Sequence, residues 1–206
     1  MTGSSTTLYL IDLSVDDMAG RLREALGVYV QAMRYPRGTE NQRAALWLEH
    51  SRRPGWKGVA ALELDRAFGP EAPPADADLR RGRLLGVAYG YRGAPDHWWQ
   101  QQVLAGLRQA GLPEAQIAAL MTNYFELTEL HVEPGAQGRG LGEALVRRLV
   151  QGRTEANVLL STPEIDGEDN RAWRLYRRLG FGDVIRGYRF AGDPRPFAIL
   201  GRSLPL

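Results

Sequence analysis

The sequence predicts a mixed α/β fold, one central mixed β-sheet of about seven strands with helices on its faces. Strand-like segments dominate the first half of the chain, whereas strands and helices alternate in its last third. The length of 206 residues fits one domain, 1–206, at roughly 100–200 residues per domain. With 44% hydrophobic and 24% charged residues there is enough apolar material for a core, and a disordered or collagen-like chain is excluded.

Residues Thr7 to Leu13 alternate as a first strand, and Ser14-Val15-Asp16-Asp17 supplies a cap and acids for a helix start. Leu22, Ala25, Leu26, Tyr29, Val30 and Met33 recur at helical spacing and give that helix a buried stripe. Arg34-Tyr35-Pro36-Arg37-Gly38 breaks it, and a second helix from Thr39 carries Leu46, Trp47 and His50 toward Pro54-Gly55. Trp56 to Leu64 and Arg83 to Arg92 read as strands, with a Pro/Ala/Asp-rich surface loop from Phe68 to Gly82 between them. Asp96 to Met121 reads as one or two helices, broken at Gly111-Leu112-Pro113. Strand Tyr124–Val132, helix Gln137–Gln151, strand Asn157–Ser161, helix Asp169–Leu179 and strands Phe181–Arg189 and Arg195–Leu204 complete the chain.

Cysteine is absent, which removes disulfides, thiolate metal sites and cysteine nucleophiles together and suits a reducing compartment. The three histidines, His50, His97 and His131, are far apart in sequence, so no metal site is expected. The net charge is +2, and Lys57 is the sole lysine among 26 basic residues. Acids are interspersed with the arginines and no long basic run appears, so no nucleic-acid partner is expected. No apolar stretch reaches the ~18 residues of a membrane span. Met1 to Thr7 carries neither a basic region nor an apolar signal core, and the expected location is the cytoplasm.

The chemistry concentrates at Leu130-His131-Val132-Glu133-Pro134-Gly135-Ala136-Gln137-Gly138-Arg139-Gly140-Leu141-Gly142-Glu143. A strand ends at a proline, a glycine-rich turn follows, and a helix opens with Leu141, Leu145 and Leu149 on one face. Glycines let a ligand lie against bare backbone, and first-turn amides have no partner within the helix and favour a diphosphate. A Walker loop is excluded because G-x-x-x-x-G-K-[ST] is missing, and the dinucleotide fingerprint is broken by Glu143. A plain tight turn explains the same glycines, and the loop alone does not decide between these readings.

A second segment adds Asp169-Asn170-Arg171-Ala172-Trp173-Arg174-Leu175-Tyr176-Arg177-Arg178-Leu179-Gly180-Phe181. Together the two resemble the GCN5-related N-acetyltransferases. Gln137, Gly140 and Gly142 match the family's Q/R-x-x-G-x-G/A, and Ala172, Tyr176, Gly180 and Phe181 match its A-x-x-x-Y-x-x-x-G-F. The resemblance implies a splayed parallel strand pair holding acetyl-CoA as cosubstrate, without a metal. It assigns the cofactor to Leu130, His131 and Val132, to Gln137, Gly138, Arg139, Gly140, Leu141, Gly142 and Glu143, and to Tyr176. The family often has asparagine three residues before the alanine. Here Asp169 stands there with Asn170 one residue late, so either one contacts the cofactor or caps the helix.

The implied reaction is attack of an amine on a thioester, an acyltransferase reaction of the N-acetyl type. An alkylamine of pKa ~10.4 is neutral at pH 7 in roughly one part in a few thousand, so a base must take its proton. Glu126, eleven residues before Gln137, matches a strand position where family members place a base. Glu129, His131 and a water relay stay open as alternatives. Tyr176 matches the general acid that protonates the departing thiolate. The acceptor, a small-molecule or peptide amine, is not readable from the sequence, and a homodimer is compatible with it. Two other classes stay open, a non-catalytic acyl-CoA sensor and a dinucleotide oxidoreductase.

Overall fold

Strand β1 (Thr7–Leu13) enters helix α1 (Val15–Met33) through a two-sided cap at Ser14. Ser14 Oγ accepts the Asp17 N–H at 3.0 Å, and Asp17 Oδ2 accepts the Ser14 N–H at 3.0 Å. Arg34, at a left-handed φ of 55°, stops the helix before α2 (Thr39–His50). The computed structural model describes residues 6–65 and 74–206, so residues 1–5 and residues 68–73 of the expected 68–82 loop lie outside the described residues. Strands β2 (Lys57–Leu64) and β3 (Arg83–Arg92) follow. The described end of the expected loop is not irregular; Asp76–Arg81 form a short helix, α3.

The rest of the chain comprises α4 (Trp98–Gln109), α5 (Glu114–Met121), β4 (Tyr124–Val132), α6 (Leu141–Val150), β5 (Asn157–Pro163), α7 (Arg171–Arg178), β6 (Gly182–Tyr188) and β7 (Phe197–Ser203). The 96–121 segment is therefore two helices, separated where Gly111 turns left-handed at φ +79°. As the sequence predicts, seven strands form one mixed sheet, and they run in the order β1-β2-β3-β4-β5-β7-β6. The chain divides into two compact units, Met1–Tyr89 with Glu129–Leu149, and Gly90–Thr128 with Val150–Leu206.

In the first unit β1 pairs antiparallel with β2, from Thr7↔Leu64 to Leu13↔Gly58. Its core combines Met18, Leu26 and Tyr29 of α1, Trp47 of α2, Val59 and Leu62 of β2, and Leu145 and Leu149 of α6. The last turn of α6 is tied down by Lys57, whose Nζ donates to the Arg148 carbonyl at 2.7 Å. A cation there also opposes the negative end of the helix dipole.

In the second unit β5 pairs antiparallel with β7 along its whole length, Asn157↔Ser203 to Pro163↔Phe197. Val103, Leu107, Ile117, Met121, Tyr124, Leu159 and Ile199 form its buried cluster. Parallel pairing of β4 with β5 runs through only three residue pairs, Tyr124↔Asn157, Phe125↔Val158 and Glu126↔Leu159. Leu127 and Thr128 still belong to β4, and Leu160 to Pro163 to β5, so the ladder stops before either strand does.

Candidate active site

The glycine turn is built before its helix, not inside it. The sequence predicts a helix from Gln137, but α6 starts at Leu141 because Gly138 and Gly140 sit at φ +82° and +78°. Ala144 N–H donates to the Gly140 carbonyl at 3.1 Å as the helix begins. Amides from Leu141 onward in the first turn thus have no partner within the helix. A Cβ placed on Gly138 or Gly140 would meet nothing within 4 Å, so packing does not explain these glycines; backbone conformation and open space do. Gln137 closes the turn, its Nε2 donating to the Val132 carbonyl at 3.0 Å.

At the end of β4 the backbone groups alternate between the two edges of the strand. Glu133 N–H donates to the Leu85 carbonyl of β3 at 2.7 Å. By that alternation the peptide groups of Leu130 and Val132 point to the opposite edge. His131 and Glu129 close on each other, Nε2 to Oε2 2.6 Å. The imidazole lies edge-on to Tyr29 at 4.9 Å and stacks on Trp47 at 6.3 Å between ring centres. Burial pushes the Tyr29 phenol up to about 12. The arginines of this region are engaged with carboxylates, Arg139 with Glu63 at 3.5 Å, Arg147 with Glu143 at 2.9 Å and Arg148 with Asp12 at 2.9 Å.

In the second unit a carboxylate is enclosed by phenols. Glu126 is 3% exposed, and its Oε1 accepts Tyr91 O–H at 3.1 Å, whereas the single proton of Thr128 Oγ1 is shared between the Glu126 carbonyl at 3.3 Å and Oε1 at 3.5 Å. Tyr124 O–H donates to Gln100 Oε1 at 3.0 Å. Burial raises the Tyr124 phenol far above its ordinary value, and the Glu126 and Tyr91 charges add to the rise. A buried carboxylate held by a hydroxyl donor is a candidate general base.

On α7, Asn170 is the cap, its Oδ1 accepting the Trp173 N–H at 2.9 Å. Asp169 instead pairs with Arg174 at the surface. Tyr176 is 7% exposed and meets Phe181 edge-on at 5.7 Å, and Gly180 ends the helix at φ +80°. Trp173 sits under two arginines, Arg177 at 5.1 Å and Arg186 at 5.0 Å, which share Glu168 and Asp183.

A family model described as an acetyltransferase (GNAT) domain matches residues 100–182. A GCN5-like protein acetyltransferase of Mycobacterium tuberculosis is 66% identical over 204 residues, covering 97% of this chain and 99% of that one. The chain belongs to the GCN5-related N-acetyltransferase (GNAT) family. It is an acetyltransferase. A mycothiol acetyltransferase of Kineococcus radiotolerans is 40% identical over 73 residues, 34% of this chain and 23% of that one. Among solved structures, the ribosomal-protein-S18-alanine N-acetyltransferase of Escherichia coli shares 16% identity with a TM-score of 0.56, covering 97% and 96% of the two chains. The PaiA N-acetyltransferase of Thermoplasma acidophilum, solved with coenzyme A, shares 12% identity with a TM-score of 0.55 over 96% and 99%. At these identities the likeness is one of fold.

The GNAT fold places the expected residues in three groups. Leu130, His131, Val132 and Gln137 to Glu143 cluster at the end of β4 and the start of α6. Glu126 lies earlier on β4, and Tyr176 on α7. Of the aromatic residues, Trp47, Tyr89 and Tyr91 are core, whereas Trp98 is 52% exposed. Tyr91 and Gln100 were not legible as partners of the β4 face, because only tertiary placement of β3 and α4 joins them to it. Among the described residues no group of His, Asp and Glu is placed to hold a metal ion, and no helix is long and apolar enough to cross a membrane.

Proposed function

We propose that this GNAT chain transfers the acetyl group of acetyl-CoA to a primary amine of a protein, a lysine side chain or an N-terminus. The observation that carries the reading is the conjunction on β4 of a buried carboxylate, Glu126, and an interrupted ladder with β5 that leaves strand edge for a pantetheine arm. The protein acceptor follows the 66%-identical relative, which is named a protein acetyltransferase.

The residues present suit coenzyme A. First-turn amides of α6 and the Gly138–Gly140 backbone suit a pyrophosphate, and nothing occupies the space a Cβ would take there. Peptide groups of Leu130 and Val132 suit a pantetheine amide running beside β4. Bound there, the cosubstrate supplies an activated acyl carbon. Glu126 would take a proton from the acceptor's ammonium so that the neutral amine can attack the acyl carbon, Tyr176 O–H would protonate the departing thiolate, and backbone amides of β4 would orient the carbonyl. A phenol of ordinary pKa ~10 is protonated at pH 7 and lies close to a thiol of ~8.5, a workable acid.

The test is thiol release from acetyl-CoA across lysine peptides, peptides with free N-termini and small amines, with acetylated atoms mapped by mass spectrometry. Background is low because the chain has no cysteine and one lysine. Acetylation of a peptide amine that falls roughly 10²–10⁴-fold in Glu126→Gln, at unchanged cofactor affinity, is the expected result. Coenzyme A binding with no acceptor turned over would make the chain an acyl-CoA sensor. A Glu126→Gln variant within a few-fold of the parent would move the base to Glu129, His131 or water.

A further inference from the structure

We infer that Tyr91 is a positioning residue for this reaction, its phenol O–H holding Oε1 of Glu126 and fixing the orientation in which that carboxylate meets the acceptor amine. The inference rests on the reading of Glu126 as the base.

A carboxylate 3% exposed is oriented chiefly by the protein donors around it. Tyr91 at 3.1 Å is the closer of the two hydroxyls on Oε1, and Thr128 at 3.5 Å is at the limit of a hydrogen bond. The donor is itself fixed. Tyr91 is 1% exposed, and the His97 ring packs edge-on against it with centres 5.3 Å apart.

An independent feature explains how the phenol reaches so far. Gly90, the residue before Tyr91, presses against β4: a Cβ there would stand 2.2 Å from the Glu126 carbonyl and 2.6 Å from the Phe125 ring. Only glycine lets β3 come this close, and the approach brings the Tyr91 hydroxyl within bonding range of the Glu126 side chain. The neighbouring phenol has a different task, since Tyr124 O–H is directed to Gln100. Thus one of two adjacent tyrosines serves the carboxylate.

The titratable groups around Glu126 include Tyr91 from β3, Tyr124 from β4 and, behind Tyr91, His97 ahead of α4. Both phenols are neutral where a carboxylate titrates. A hydrogen bond to the ionised carboxylate favours the charged form, so removing it raises the pH at which Glu126 becomes a base.

The experiment is the pH profile of kcat/KM for parent, Tyr91→Phe, Tyr124→Phe and Glu126→Gln, with acetyl-CoA and an acceptor peptide found by the thiol screen. Tyr91→Phe keeps the ring. It is expected to move the acid limb up by about one pH unit and to lower kcat by about tenfold, with acceptor KM within about twofold. Tyr124→Phe is expected to leave the limb in place, and Glu126→Gln to abolish it. Should Tyr91→Phe melt below the assay temperature, 3-fluorotyrosine at position 91, a stronger donor, is expected to move the limb down. A Tyr91→Phe limb that coincides with the parent's, or a fluorotyrosine limb that does not move, overturns the inference. Parental turnover in Glu126→Gln overturns instead the reading of the base beneath it.

Discussion

Gly140 and Gly111 form a matched pair that separates conformational strain from ligand contact. Their φ angles are +78° and +79°, and a Cβ on either would meet nothing within 4 Å. Alanine at either site therefore suffers the same left-handed backbone cost, roughly 1–2 kcal/mol, with no clash to add to it. At about 2–4 °C per kcal/mol for a domain of this size, both variants are expected to melt roughly 2–8 °C below the parent. They part on the cofactor. The methyl group at Gly140 occupies space where a pyrophosphate would approach the turn before α6. Loss of one hydrogen bond to a charged phosphate is worth about 1.5–3 kcal/mol, a roughly 10–150-fold weaker Kd. Gly111 lies in the turn from α4 to α5 and should leave that Kd unchanged. Calorimetric titration of acetyl-CoA into the three proteins, beside their melting curves, reads both quantities. Equal Kd values for parent and Gly140→Ala would refute the cradle, whatever the melting temperatures do.

Two further outcomes follow from the same structure. Tyr176→Phe preserves the ring against Phe181 and should leave cofactor affinity and melting temperature close to the parent, while kcat falls by about 10²-fold; parental kcat where chemistry limits would leave Tyr176 a core aromatic. For Glu155, burial would raise the pKa, but hydrogen bonds from Arg153, its own backbone and Arg92 outweigh it and hold the group down at about 2 against an ordinary 4.5. A depressed folded-state pKa contributes stability that is complete above about 4.5 and lost as pH falls through about 2. The melting-temperature gap between parent and Glu155→Gln should therefore narrow across that window, and a gap independent of pH would rule the linkage out.

Elements whose signals are local were legible in the sequence. The Ser14 cap, the Arg34 break and all seven strands depend on neighbours a few residues away, and each lies where the spacing puts it. The start of α6 was not. Gln137 to Gly140 read as helix because glycines interrupt no apolar spacing, whereas their positive φ angles hold the chain open until Leu141. Asp76–Arg81 looked like loop because a helix this short has no apolar face to reveal it. At α7 the choice between Asp169 and Asn170 turned on which backbone enters the helix extended, and Asn170 does, at φ −136° and ψ 172°. The candidate residues stood out because the glycine turn and the Ala172–Phe181 pattern are contiguous motifs. What surrounds Glu126 is not contiguous. Tyr91 is 35 positions away, on a strand that Gly90 lets approach β4 closely.

The most direct measurement is calorimetric titration of the unmodified chain with acetyl-CoA, repeated with NAD. The account predicts saturable binding of one acetyl-CoA per chain and none of NAD. At a ligand concentration 100-fold above a micromolar Kd, bound cofactor should add about 2.7 kcal/mol to the stability of the fold. No heat and no melting shift with millimolar acetyl-CoA would contradict the account.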